Sequence, residues 1–196
     1  MGSEFKNGGN EMIESGKELA VVAEKSKMRG WDLLLRVAAV AFSLAAAVVL
    51  GLDKQTTTVT LTLVPTLPPV DIPVTAKWHY LSASVYFVVA NTTACAYGAI
   101  SLLLLSANRG GKKRIAMTVV VFDLMIVALL FSSLGAVAAI GIISLKGNAH
   151  VQWHKVCSVF GKFCNQGAAA IGLSGVASTV FLVLVLVAIL ELHWKR

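Results

Sequence analysis

The chain has 196 residues, of which 57% are hydrophobic and 14% charged, whereas a soluble domain carries roughly 25% charged residues. So few charges cannot cover the surface of a soluble domain of this length. This excludes a soluble globule, a disordered chain and a coiled coil, and it points to a multi-spanning membrane protein. The formal charge of +7, from 17 Lys+Arg and 10 Asp+Glu, reads in such a protein as topology, and no nucleic-acid partner is expected.

Residues 1–30 are polar and mix acids with lysines, the composition of a mostly disordered tail. Four apolar runs come next, at about 33–52, 81–105, 115–145 and 168–192. Each reaches the ~20 residues that a helix needs to cross a bilayer, and none alternates as the strand of a barrel would. The expected fold is an all-α membrane protein, a four-transmembrane-helix bundle occupying 31–194. Trp31, Trp78, Tyr80 and Trp194 stand at the edges of the runs, where interfacial aromatic anchors belong.

The basic residues predict the orientation. Lys6, Lys17, Lys25, Lys27 and Arg29 precede the first run, Arg109, Lys112, Lys113 and Arg114 fill the loop 106–114, and Lys195 and Arg196 close the chain. The other side holds Lys54, Lys77, Lys146, Lys155 and Lys162. Both termini and the loop 106–114 are therefore expected in the cytoplasm, and the loops 53–80 and 146–167 outside.

The first outer loop opens with Val59, Leu61 and Leu63 alternating with threonines, the period of a strand. Pro65, Pro68, Pro69 and Pro73 then predict a stiff, extended segment. A strand lying on the helix tops and an edge for a partner chain are both open readings. In the second outer loop, Trp153, Val156, Cys157 and Phe160 have helical spacing, with Gly161 placed to end the helix. A chain that turns back there brings Cys157 to Cys164, and a disulfide is expected on the oxidising face. The competing reading is a zinc site of His150, His154, Cys157 and Cys164, whose spacing fits no standard zinc module. The expectation is therefore no metal and no cofactor.

Two ionisable residues lie inside the runs. Arg36 is about one turn into the first. Asp123 is ~12 Å into the third, from the same side. A charge near the bilayer centre costs about 2.5–3.5 kcal/mol, so Asp123 needs a partner or a proton. An Arg36–Asp123 intramembrane ion pair is the expected answer. The alternatives are Asp32 or lipid phosphate for Arg36, and a neutral carboxyl bonded to Asn91 for Asp123. Asn91, in the middle of the second run, reads as a polar helix-packing residue. Small residues crowd the third run and the start of the fourth, which suits close packing within the bundle or between copies. No catalytic constellation and no phosphate-binding loop is present, so no enzyme activity is expected.

These residues together resemble the plant Casparian strip membrane domain proteins and their CASP-like relatives of group 1, similar in plan to animal MARVEL proteins. The resemblance runs from Trp31 to Trp194. It is carried by Arg36 and Asp123, by Lys77-Trp78-His79-Tyr80-Leu81-Ser82-Ala83 and by Val88-Val89-Ala90-Asn91. Gly147-Asn148, His150, Trp153-His154-Lys155-Val156-Cys157 and Phe160-Gly161-Lys162-Phe163-Cys164-Asn165-Gln166 complete it. It implies a multi-pass plasma-membrane scaffold that forms homo-oligomers and hetero-oligomers with related four-span proteins, organises a membrane domain and recruits cell-wall enzymes. The other function class left open by the residues is a small-solute or ion transporter or channel. The spans offer it only Arg36, Asn91 and Asp123 plus scattered Ser and Thr.

Overall fold

The computed structural model describes residues 30–61, 70–107, 113–147 and 155–194. The N-terminal tail and the segment 108–112 around Arg109 lie outside them, as do His150, Trp153 and His154. Two compact units divide the chain at Leu35. Of the first, the described part is the opening of helix α1, with Trp31 and Leu34 exposed. The second, Arg36–Arg196, holds the rest of α1 and every other element.

Among the described residues, four helices are long and apolar enough to cross a membrane, and they match the four runs. They are α1 (Gly30–Gly51), α2 (Ser82–Ala107), α3 (Lys113–Lys146) and α4 (Gly161–Trp194). All four prolines fall between 65 and 73, so none breaks a span. With no water in the hydrocarbon to satisfy it, the backbone of an apolar run closes on itself as a helix. Gly147 ends α3 at φ 70, a left-handed conformation that glycine adopts without penalty. Its N–H donates to the Ile143 carbonyl at 2.8 Å, as at many helix C-termini.

The loop 53–80 forms two strands, where the residue pattern predicts one strand and a stiff proline segment. Strand β1 (Lys54–Leu61) and strand β2 (Val70–Lys77) pair antiparallel, from Lys54 opposite Lys77 to Leu61 opposite Val70. Exposure along β1 alternates, with Lys54, Thr56 and Thr58 exposed and Gln55, Thr57 and Val59 half-buried. Pro73 sits within β2, opposite Thr58. A proline is tolerated there because both strands of a two-stranded sheet are edges. A 3-10 turn (Trp78–Tyr80) joins β2 to α2.

The core is made largely of alanine and serine. Ala39, Ala46, Ala94, Ala170 and Ala177 are fully buried, with Phe87, Leu130, Phe181 and Leu184 as the large residues between them. Small side chains let helices approach closely where lipid offers no hydrophobic drive. The closest approach is at Gly98 on α2, where an added Cβ would run into Val40 Cγ2 of α1 and meet Phe181 of α4 at 3.7 Å. Valine is stiff at χ1 and cannot swing aside. Gly98→Ala is expected to push α1 from α2 at a cost of roughly 1–3 kcal/mol. A detergent-unfolding midpoint equal to wild type would contradict that close contact.

Candidate functional site: a buried ion pair and a disulfide-held end

Arg36 and Asp123 meet. Nη1 of Arg36 donates to Asp123 Oδ1 at 3.1 Å, and Nη2 donates to Oδ2 at 2.7 Å. Two parallel bonds of this kind add geometric specificity to the charge attraction. The residues are 3% and 0% exposed, so both charges are out of contact with lipid and water. Two further groups complete the site. Ser101 Oγ accepts from Arg36 Nη1 at 3.2 Å and donates to the Gly98 carbonyl at 2.8 Å. The Tyr97 hydroxyl lies 2.8 Å from Asp123 Oδ1 and 3.0 Å from the Val119 carbonyl oxygen, with one proton to share between them.

The network thus joins α1, α2 and α3. Tyr97 and Ser101 are not singled out by the sequence, although their i, i+4 spacing places them on one face of α2. That spacing was the available signal. Asn91, predicted to be a helix-packing group, is fully buried, but the bond it makes is within its own helix: Nδ2 donates to the Phe87 carbonyl at 2.9 Å.

At the opposite end, Cys157 and Cys164 form a disulfide, with Cα atoms 5.7 Å apart. Both thiols are thereby used, so they are not thiolate ligands for zinc. The local structure differs from the expected helix ending at Gly161. Val156–Ser158 is a 3-10 turn, and Gly161 begins α4. The reason is visible in the backbone bonds: the Phe160 carbonyl accepts from Cys164 N–H at 3.1 Å, so the helical ladder starts there. The fourth span consequently begins seven residues before Ala168, and Cys164 lies in its first turn. The next donor in that turn, Phe163 N–H, is satisfied by Gln55 Oε1 at 2.8 Å, which ties β1 to α4.

Asp53, between α1 and β1, is 1% exposed. Neither carboxylate oxygen has a hydrogen-bond partner among the described residues. Burial pushes its carboxyl from the ordinary 3.8 up to about 6, against the opposing pull of the Lys162 ammonium. The folded protein therefore holds this proton more tightly than the unfolded chain does. Stability from this group is full below about pH 4 and falls as pH rises towards 6, by roughly 1–3 kcal/mol. Asp53→Asn is expected to flatten that slope and raise the unfolding midpoint at pH 7. A midpoint lower at pH 7 than in wild type would contradict it.

Four apolar helices, a charge pair sealed between three of them, and a hairpin and a disulfide at one end define a four-span integral membrane protein. The family model of the Casparian strip membrane protein domain matches residues 25–180, and the chain belongs to that family. It is 54% identical over 185 residues to CASP-like protein 1E2 of Vitis vinifera, covering 94% of each chain. It is 51% identical over 193 residues to CASP-like protein 1E1 of Populus trichocarpa, covering 98% of each. Against CASP-like protein 1E1 of Arabidopsis thaliana the identity is 47% over 191 residues, 97% of each. No solved structure matches the chain.

Two of the segments that carry the resemblance stand where helices begin. Trp78, His79 and Tyr80 form the turn entering α2, with successive rings edge to face and Lys77 Nζ 5.7 Å from the Tyr80 ring centroid. Phe160 precedes α4, and Gly161 to Gln166 form its start.

Proposed function

We propose that the chain is a plasma-membrane scaffold, which self-associates and joins related four-span proteins to organise a membrane domain that guides local cell-wall modification. The observation that carries this reading is the sealed ion pair. Arg36 and Asp123 are spent on each other and on Tyr97 and Ser101, so they hold helices together and do not line a path for solutes. The faces turned away from the core are apolar along the spans, as at Leu44, Val48, Val89, Leu103, Val121 and Leu190. Faces of that kind suit contact with lipid and with other helices. In this reading both termini are cytoplasmic, and the hairpin and the disulfide end face outward, where a wall-side partner reaches them.

A fluorescently tagged full chain in plant cells tests the proposal. Confined patches with slow recovery after bleaching are the expected result. Uniform label with free diffusion would refute the scaffold. Solute or ion flux through vesicles holding the purified chain would favour the transporter instead. Labelling of either terminus by an impermeant reagent on intact cells would overturn the orientation.

A further inference from the structure

Ala46, Phe87, Val137 and Ala170, one from each helix, pack in a single apolar cluster. One helical turn from each of these, on the side of the ion pair, stand Ser43, Asn91, Ser133 and Ser174. A step of three or four residues keeps to the same helix face, so these four polar residues share the next layer of the core. All four are fully buried. Their polar atoms are only partly satisfied. Ser133 Oγ donates to the Leu130 carbonyl and Asn91 Nδ2 to that of Phe87, both at 2.9 Å. Ser43 Oγ, Asn91 Oδ1 and Ser174 Oγ have no hydrogen-bond partner among the described residues.

Three orphaned polar atoms on three different helices, at one depth, are costly in a hydrocarbon interior unless something bridges them. The set is chemically specific. Two hydroxyls can donate, and one amide oxygen can only accept. A single water accepts twice and donates once to satisfy all three, within the two to four bonds that buried waters make. An anion would leave the Asn91 oxygen facing a like charge. A cation would need more oxygen ligands than the layer presents.

We propose that this layer is an internal hydration site, in which one ordered water bridges α1, α2 and α4 by accepting from Ser43 and Ser174 and donating to Asn91 Oδ1. The apolar cluster with Phe87 closes it on the hairpin side. The close approach of Gly98, Val40 and Phe181 closes it towards the ion pair. The water is thus a fixed part of the core and not a segment of a conduit. It also gives α1 a second polar tie, about two helical turns from the one that Arg36 makes.

The test is a double-mutant cycle of Ser43→Ala and Ser174→Ala in the full chain in lipid nanodiscs, read by thermal unfolding. Each single change strips the water of a donor and is expected to lower the midpoint by several degrees, and the double change to cost no more than the worse single. A midpoint that rises or stays level in either single variant, or losses that add, would overturn the bridge. A crystal structure of the full chain at a resolution that shows ordered water gives an independent reading. Density within hydrogen-bond distance of at least two of the three atoms is expected. Hydroxyls turned onto the Ala39 and Ala170 carbonyls, with no density between them, would refute the site.

Discussion

Asp123→Ala is expected to cost about 3–5 kcal/mol, because it takes the buried carboxylate away from the charged Arg36 guanidinium in a dry interior. The arginine loses two bonds, of 3.1 and 2.7 Å, and keeps only Ser101 at 3.2 Å from this cluster. The Tyr97 hydroxyl is left with the Val119 carbonyl. Arg36→Ala is expected to be similarly damaging, since it strands a carboxylate that is fully buried. Exchanging the two charges, Arg36→Asp with Asp123→Arg, should restore part of the loss. Recovery should be incomplete because Tyr97 and Ser101 are placed for the native arrangement. Tyr97→Phe removes one donor and should cost about 1 kcal/mol. Unfolding in mixed detergent micelles measures all four. A harmless Asp123→Ala would show that the pair does not hold the helices.

Removal of the Cys157–Cys164 disulfide is expected to cost about 2–3 kcal/mol, the amount for a short closed loop, since the two cysteines are seven residues apart. The damage should be local. Cys164 is in the first turn of α4, beside the Phe163 N–H that Gln55 accepts. Without the bond that turn frays, and the hairpin loses its tie to α4. The spans themselves are satisfied within their own backbones. Reductant, or Cys157→Ser with Cys164→Ser, should therefore leave the helix signal of circular dichroism unchanged. Proteolysis around Gly161 and in β1 should become much faster. An unchanged midpoint and unchanged cleavage would mean that the bond does not shape this end, and free thiols at both positions in protein from the cell surface would mean that it is not formed there.

Asp53 behaves differently from Asp123 although both carboxylates are buried. Asp123 has a guanidinium and a phenol on it. Asp53 has neither, and feels Lys162 only as a nearby charge. One aspartate joins helices, and the other makes the end with the hairpin and disulfide more stable in mild acid than at neutral pH.

The amino-acid sequence by itself determined the number of spans, their limits to within a few residues except for the start of α4, and the residue types that a bilayer forces into partnership. Hydropathy is a local property, and hydrocarbon leaves an apolar run no backbone partner but its own. The spacing of Cys157 and Cys164 and the strand period at Val59 and Leu61 were legible for the same reason, since both are short-range patterns. Only the tertiary structure decided how each helix is rotated about its axis. That rotation brings Tyr97 and Ser101 to Arg36 and Asp123, buries Asn91, and sets Gly98 against Val40. Spacing along one helix places residues on a face but does not say which neighbour that face meets. Likewise Gly161 is compatible with ending one helix or beginning another, and the Phe160 carbonyl, which accepts from Cys164, resolves it. The second strand, too, exists because β1 offers it a register and not because its own proline-bearing sequence favours it. Except at Gly161, the deciding energy comes from a contact between segments distant in sequence, which no short window of the chain contains.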